Sequence, residues 1–260
     1  MDTYFGPFSA KVGERTYLEI IPQEILELIV VKLNNDDFES LNQTIILNLN
    51  YPRMCGYRFV NCKDIDYQEY LRLVSIERLK EKLNLKKSVE ELSKAQKLIL
   101  PERGINFLPK EIGSFSTLRQ LNLSGNKLTD IPPEIGSLKD LEDLYLSNNQ
   151  LESLPKEIGN LTSLKVLRIP NNKLRSIPPE IGNLSNLQLL NLDYNLLINL
   201  PPEIGKLSSL NGLYLEYNGL TSLPSEIVNL KSLKYLDIYG NKITQIPSEL
   251  INRKDLYLIM

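Results

Sequence analysis

At 260 residues the chain has room for one large domain or two small ones, and 42 % hydrophobic with 24 % charged residues is an ordinary globular composition. The balance of 30 Lys and Arg against 32 Asp and Glu leaves a formal charge of −2, so nucleic acid is not expected as a partner. No histidine occurs, which removes Ser-His-Asp, Cys-His and His-metal arrangements together.

The first residues, MDTYFGPFSAKVGERTY, lack the charged start and apolar core of a secretory signal. No apolar run approaches the roughly 20 residues that span a bilayer, so no membrane partner is expected. Cys55 and Cys62 are the only cysteines and have no partner Cys or His at metal-ligand spacing, so they read as free thiols. Low cysteine usage points to a reducing compartment, and the expected location is intracellular and cytoplasmic. Phosphate-cradling glycine patterns are absent, so neither a cofactor, a metal nor a catalytic centre is expected.

Residues 1–63 are expected to form a small, mainly helical domain. In Ile21-Pro-Gln-Glu-Ile-Leu-Glu-Leu-Ile-Val-Val-Lys-Leu33, Ile25, Leu28, Ile29 and Leu33 fall at helical spacing behind Pro22. Asp36 or Asp37 then suits the N-cap of a second helix with Phe38 and Leu41. This pattern resembles an F-box, a segment that binds the Skp-type adaptor of cullin ubiquitin ligases. The resemblance implies that Ile21, Pro22, Ile25, Leu26, Ile29 and Leu33 meet that adaptor. It departs at Asn42-Gln-Thr-Ile-Ile-Leu, which lacks the usual ending, and the chain has no Trp. The alternatives are a plain amphipathic cap, or an imitation of the chain's own Ile131-Pro-Pro-Glu-Ile135.

Residues 64–94 read as a helical linker and cap. Asp66 and Glu69 make a capping box for a helix through Leu73, Ile76, Leu79 and Leu83. Leu85 to Leu92 then matches Leu108 to Phe115 position for position without the Pro and Gly, and Ser88 with Glu91 makes a second capping box.

From about residue 95 one sentence repeats every 23 residues. Leu118, Leu141, Leu164, Leu187, Leu210 and Leu233 open the copies, and Asn126, Asn149, Asn172, Asn195, Asn218 and Asn241 recur at the same interval. A fixed period in this range means a solenoid. Leu144 and Leu146 have strand spacing and face one side, and Leu151, Leu154, Ile158 and Leu161 return to meet them. Each Asn is expected to turn the chain and link neighbouring units in a ladder. The Pro after Leu154 suits the start of a short helical turn, Glu157 its first turn, and Gly159 its end. Glu134, Glu157, Glu180, Glu203, Glu226 and Glu249 therefore form an outer row whose repetition says scaffold, not acid–base chemistry.

These features resemble the leucine-rich repeat family, in the 23-residue intracellular type of plant and Ras-group members. The resemblance covers 95–260 and implies an α/β solenoid with a parallel concave β-sheet. Many F-box proteins carry such repeats to select a substrate, so one expectation is a ubiquitin-ligase adaptor. The other is a signalling scaffold whose N-terminal region is only a cap.

Side chains alternating with the buried strand leucines reach the concave face, where a protein partner is expected. Tyr145, Arg168, Asp193, Tyr194, Tyr214, Glu216, Tyr217, Tyr235, Asp237 and Tyr239 lie there or beside it. Six of the 13 tyrosines are among them, and Tyr and Arg are the residues that most often anchor interfaces. At the C-terminus Asp255 to Met260 starts another strand in which Leu256 and Ile259 are expected in core positions. The exposed end left there suits a second copy of the chain or another partner.

Overall fold

The computed structural model describes residues 67–260. The F-box-like stretch, with Ile21, Pro22, Ile25, Leu26, Ile29 and Leu33, lies outside them, as do Cys55, Cys62 and Asp66. Gln68–Met260 is one compact unit that includes both the helical segment and the repeats.

Helix α1 (Tyr67–Lys82) buries Leu73, Val74, Ile76 and Leu79 on one stripe, the spacing that makes it amphipathic. Arg72 pairs with Glu69 (2.7 Å) and donates Nη1 to the carbonyls of Ser93 (3.2 Å) and Ser114 (3.4 Å). Its far end is pinned by Lys82, whose Nζ lies 2.6 Å from Oε1 of Glu111. Helix α2 (Val89–Ser93) has the expected capping box, with Glu91 N–H donating to Ser88 Oγ (3.2 Å) and Ser88 N–H to Glu91 Oε2 (2.8 Å). Leu85, Val89 and Leu92 are buried at the places that Leu108, Ile112 and Phe115 fill one unit later.

Eight three-residue strands follow in one parallel sheet, ordered as in the sequence: β1 (Lys97–Ile99), β2 (Gln120–Asn122), β3 (Asp143–Tyr145), β4 (Val166–Arg168), β5 (Leu189–Asn191), β6 (Gly212–Tyr214), β7 (Tyr235–Asp237) and β8 (Tyr257–Ile259). The middle leucine of each strand from β1 to β7 points into the core, as do the return-segment Leu151, Leu154, Ile158 and Leu161 of the third unit. No unit could shield these groups alone; stacking makes one continuous core. The solenoid expected from the repeat is the observed fold.

The asparagine ladder is complete. Each of the six donates Nδ2 to the carbonyl 26 residues earlier and to the one three residues earlier, and accepts on Oδ1 the amide 21 residues earlier. For Asn149 these are Leu123 (3.0 Å), Leu146 (3.1 Å) and Leu128 (3.0 Å). One side chain thus satisfies backbone groups of two units that the turns would leave unpaired in the interior. Arg103, standing where the first Asn would be, donates its own backbone N–H to Asn126 Oδ1 (3.0 Å) instead.

The return segments are five-residue 3₁₀ turns such as Lys156–Asn160, with the preceding proline at the N-cap and the glutamate in the first turn. Glycine has a different role from the one expected. Gly159 does not end the turn in a left-handed conformation; it sits inside it. A Cβ on Gly136 would lie 2.7 Å from the carbonyl oxygen of Glu157 in the next turn, and one on Gly113 2.9 Å from that of Glu134. The glycines let neighbouring turns stack in contact. The unit that breaks the rule shows the consequence. Val228 stands at the glycine place in Ser225–Asn229, and the next return segment is a short α-helix, α3 (Ser248–Ile251), without the close stacking of its predecessors.

A correction follows at β8. Strands β1 to β7 pair at an offset of 23 residues, as in Leu213↔Leu236, whereas β8 pairs with β7 at 22, as Leu236↔Leu258. Leu258 therefore takes the core side, Ile259 faces out and is 37 % exposed, and Leu256 is half-buried. Arg253 occupies the return-segment leucine position and donates to the carbonyls of Leu230 (2.8 Å) and Leu233 (2.6 Å).

Two outcomes follow from these contacts. Gly159→Val should destabilise by about 1–3 kcal/mol in urea unfolding through overpacking, whereas Gly104→Val, whose Cβ meets nothing within 4 Å, should lose only the cost of its positive φ. Glu111 is 7 % exposed and its Oε2 has no hydrogen-bond partner among the described residues. Burial opposes its charge and the Lys82 ammonium overcomes that, holding the carboxyl below its ordinary value. Its contribution is present above the unfolded glutamate pKa and is lost as pH falls through the folded one. Lys82→Met should cost about 1–3 kcal/mol at pH 7, discounted because Lys82 is partly exposed, and the deficit should shrink at pH 4. An equal deficit at both would contradict it.

Candidate protein-binding face

The outward positions of the strands carry Gln120 and Asn122, Asp143 and Tyr145, Val166 and Arg168, Leu189 and Asn191, Gly212 and Tyr214, then Tyr235 and Asp237, side by side in register. All ten residues expected on or beside the face lie there, on the strands or within the three residues that follow them. They do not form one cluster. Tyr145 and Arg168 stand in β3 and β4, and the remaining eight fall in the last three units.

Part of this face is spent on the fold. Where a strand ends, the amide two residues beyond its last residue needs an acceptor. Asn122 Oδ1 accepts the Ser124 N–H (2.9 Å), Asn191 that of Asp193 (3.1 Å) and Asp237 that of Tyr239 (3.0 Å). Tyr214 cannot do this for Glu216, and Asp193 Oδ1 accepts that N–H from the neighbouring unit (2.7 Å). Arg168 is followed by Pro170, which has no N–H to satisfy. Asp193 and Asp237, expected as partner contacts, thus also hold the backbone. Burial pushes the Asp193 carboxyl above its ordinary value, against the hydrogen bonds from Glu216 N–H and Asn191, with the charges of Asp237 and Glu216 adding to the rise.

The tyrosines have no such duty. Tyr214 lies along its strand over Gly212, where a Cβ would come 2.9 Å from Cε2 of the ring. Tyr235, 52 % exposed, meets Tyr257 across β7 and β8 with ring centroids 6.2 Å apart. Tyr194, Tyr217 and Tyr239 make a row at the end of the strands. The first two rings are 4.9 Å apart at 33°, and Tyr217 meets Tyr239 edge-on at 5.5 Å. The Tyr194 hydroxyl lies 3.5 Å from Glu216 Oε1. Burial against the row, then the Glu216 charge, raises the Tyr194 phenol above its ordinary value; for Tyr217 the neighbouring Tyr239 phenol does so first.

Two features of the row escape a reading based on strand alternation alone. Residues just before the ladder position, which Arg103 and then the six asparagines occupy, adopt positive φ, in the order Glu102, Gly125, Asn148, Asn171, Tyr194, Tyr217 and Gly240. Gly and Asn suit that conformation and tyrosine does not, a cost of about 1–2 kcal/mol for a residue with a Cβ. Gly240 also makes room, since a Cβ there would lie 2.6 Å from Cδ1 of Tyr217. The column of Gly and Asn ahead of each ladder Asn is the signal that would have exposed the strain. Beyond the row, Leu196 and Ile198 are 49 % and 63 % exposed where other units carry Lys127, Gln150 or Lys173 and Thr129, Glu152 or Arg175. That contrast is legible in the sequence when the units are aligned.

The sequence matches the leucine-rich repeat region family over residues 56–172, and the leucine rich repeat family over 162–220 and 185–243. Among solved structures it is similar to a leucine-rich repeat protein of Leptospira interrogans, at 41 % identity over 67 % of this chain and 45 % of that one, with a TM-score of 0.64. It is also similar to the plant peptide hormone receptor RGFR1 in complex with RGF2, at 37 % identity over 65 % of this chain and 28 % of the receptor, with a TM-score of 0.58. The chain spans less than half the length of either. No curated protein matches significantly. The chain is a leucine-rich repeat protein.

The strain and the ring contacts of Tyr217 oppose each other, since aromatic pairs contribute about 0.5–1.5 kcal/mol. Tyr217→Asn removes both, and its unfolding free energy in urea should stay within about 1 kcal/mol of the parent's. A larger loss would show that the ring is part of the core.

Proposed function

We propose that this chain is a non-catalytic binding module that holds a protein partner on the outward face of its sheet. The observation that carries this reading is the set of tyrosines on β6, β7 and the turns beside them, half-buried at Tyr214 and exposed at Tyr194, Tyr217, Tyr235 and Tyr239, with no side chain among them needed for the ladder. Tyrosine supplies large contact area at low entropic cost, and exposed aromatic clusters of this kind mark interaction sites. A structural relative, the RGFR1 receptor, is in complex with RGF2, which supports a polypeptide ligand. Tyr214→Ala with Tyr235→Ala should weaken capture of the partner from extracts of the source organism at least tenfold while circular dichroism and melting stay unchanged. Unaltered capture would overturn the reading.

The finer proposal is an intracellular, cytoplasmic F-box-type adaptor, in which Ile21, Pro22, Ile25, Leu26, Ile29 and Leu33 bind a Skp-type protein and the sheet face selects the substrate. The order of segments supports it, an F-box-like stretch ahead of a repeat arm. The scaffold reading takes residues 1–84 as no more than a cap; α1 and α2, which bury Ile76, Leu79, Val89 and Leu92 and are tied to the first return turn through Lys82 and Glu111, support it. Co-expression with a Skp-type adaptor separates the two. A complex that disappears with Ile25→Asp and Ile29→Asp supports the adaptor, and no complex leaves the scaffold. Pairing with a second copy at the C-terminal unit, where Ile251, Tyr257 and Ile259 are exposed, belongs to the same proposal; a strict monomer in sedimentation at high concentration would remove it.

A further inference from the structure

The tyrosine row stands among carboxylates. Asp193 and Glu216 precede Tyr194 and Tyr217 directly, and Asp237 lies two residues before Tyr239. The outward positions of these three units, with the second and third residues after each strand, hold no Lys or Arg: Leu189, Asn191, Asp193 and Tyr194; Gly212, Tyr214, Glu216 and Tyr217; Tyr235, Asp237, Tyr239 and Gly240. Glu216 Oε1 lies against the Tyr194 hydroxyl, and its charge raises both phenols. The three rings are each 45–46 % exposed, and the Asp193 carboxylate is held in place by the Glu216 amide and the Asn191 side chain. Aromatic faces and carboxylates fixed side by side present two complementary attractions to one kind of group. A planar guanidinium stacks on a tyrosine ring while its N–H fork reaches a carboxylate; an ammonium does this less well, and an anion is repelled.

We propose that the row Tyr194–Tyr217–Tyr239, with Glu216 and Asp193, binds an arginine-bearing extended segment of the protein partner. This rests on the reading that the sheet face binds protein, and it names the chemistry of the bound segment. The placement of tyrosine at two successive positive-φ positions agrees with it. The units on either side use Asn171 and Gly240 there, which adopt that conformation more easily. Strained residues of this sort persist where their side chains have a task. The backbone N–H of Glu216 is satisfied by Asp193, and among the described residues its carboxylate makes only the 3.5 Å contact with the Tyr194 hydroxyl, so it can receive a donor from outside.

The test uses the full chain and three short acetylated peptides in which glycine alternates with arginine, lysine or glutamate. The chain has 13 tyrosines and no Trp, so its own tyrosine fluorescence reads binding at physiological salt. Arginine should bind best, lysine several-fold more weakly and glutamate not at all. Tyr194→Asn with Tyr217→Asn, the residue that units three and four use at that place, should melt within about 4 °C of the parent and bind the arginine peptide at least tenfold more weakly. Glu216→Gln should weaken it while leaving the fold intact. Equal affinity for arginine and glutamate peptides, or full affinity in the double Asn variant, would overturn the proposal. If Tyr214→Ala with Tyr235→Ala abolishes partner capture while the arginine peptide fails to bind the parent chain, the row is wrong and the binding face stands. If partner capture ignores Tyr214 and Tyr235, the face itself is wrong.

Discussion

The stacked asparagines are the interaction on which the rest of this molecule depends. A strand of three residues cannot form a core or a sheet by itself, and a turn that leaves it exposes amides and carbonyls in the interior. Each asparagine closes those groups across two units at once, through bonds near 3.0 Å to Leu123, Leu146 and Leu128 in the case of Asn149. Since the bonds reach a fixed number of residues back, the period is fixed with them. The leucines fill the space that the ladder defines, and glycine in the return turn permits the spacing. The Asn, Leu, Pro and Gly of the repeat are thereby committed and carry no information about a partner.

That commitment extends further onto the binding face than alternation suggests. Asn122, Asn191, Asp193 and Asp237 stand at outward positions yet accept backbone amides at the ends of strands. What remains free is the tyrosines, Arg168 and Glu216. The tyrosines are concentrated in the last three units, while Arg168 is exposed in β4 without an ion pair to a described residue. A surface of this kind is specific through a few side chains held by a rigid scaffold, the arrangement expected of hot spots. The Tyr194 and Tyr217 backbones show the scaffold accepting some strain to keep those side chains.

The solenoid was legible because its signal is repeated. Six asparagines and six opening leucines at one interval leave no other fold, and Leu85, Val89 and Leu92 declared the cap by the same register. Single events were harder. The one-residue shortening before β8 is invisible to a rule that adds 23 to Leu233, and it moved the core side from Ile259 to Leu258. Val228, a branched residue where five units have glycine, signals the changed return segment that follows it, not the shortening. The task of Gly159 differs from the one its place suggests, because a glycine near the end of a turn usually marks a change of hand, whereas here the constraint is the Glu180 backbone of the next unit. The strain at Tyr194 and Tyr217 required comparing one column across all units, since no single copy reveals it. Where the candidate site is concerned, position was readable and division of labour was not, because a carboxylate bonded to a backbone amide and one awaiting a partner look alike in sequence.

Native-state hydrogen exchange on the amides of Leu128, Leu151, Leu174 and Leu197 tests the ladder most directly, because each donates to a single asparagine oxygen at 3.0 Å. If the asparagines bind the units into one body, these amides exchange only through global unfolding, with the same free energy as the strand amides of Leu144 and Leu167. Asn172→Ala should then release Leu151 and lower the stability of the whole unit. Exchange of these four amides at the rate of exposed loops, with the strands still protected, would contradict it.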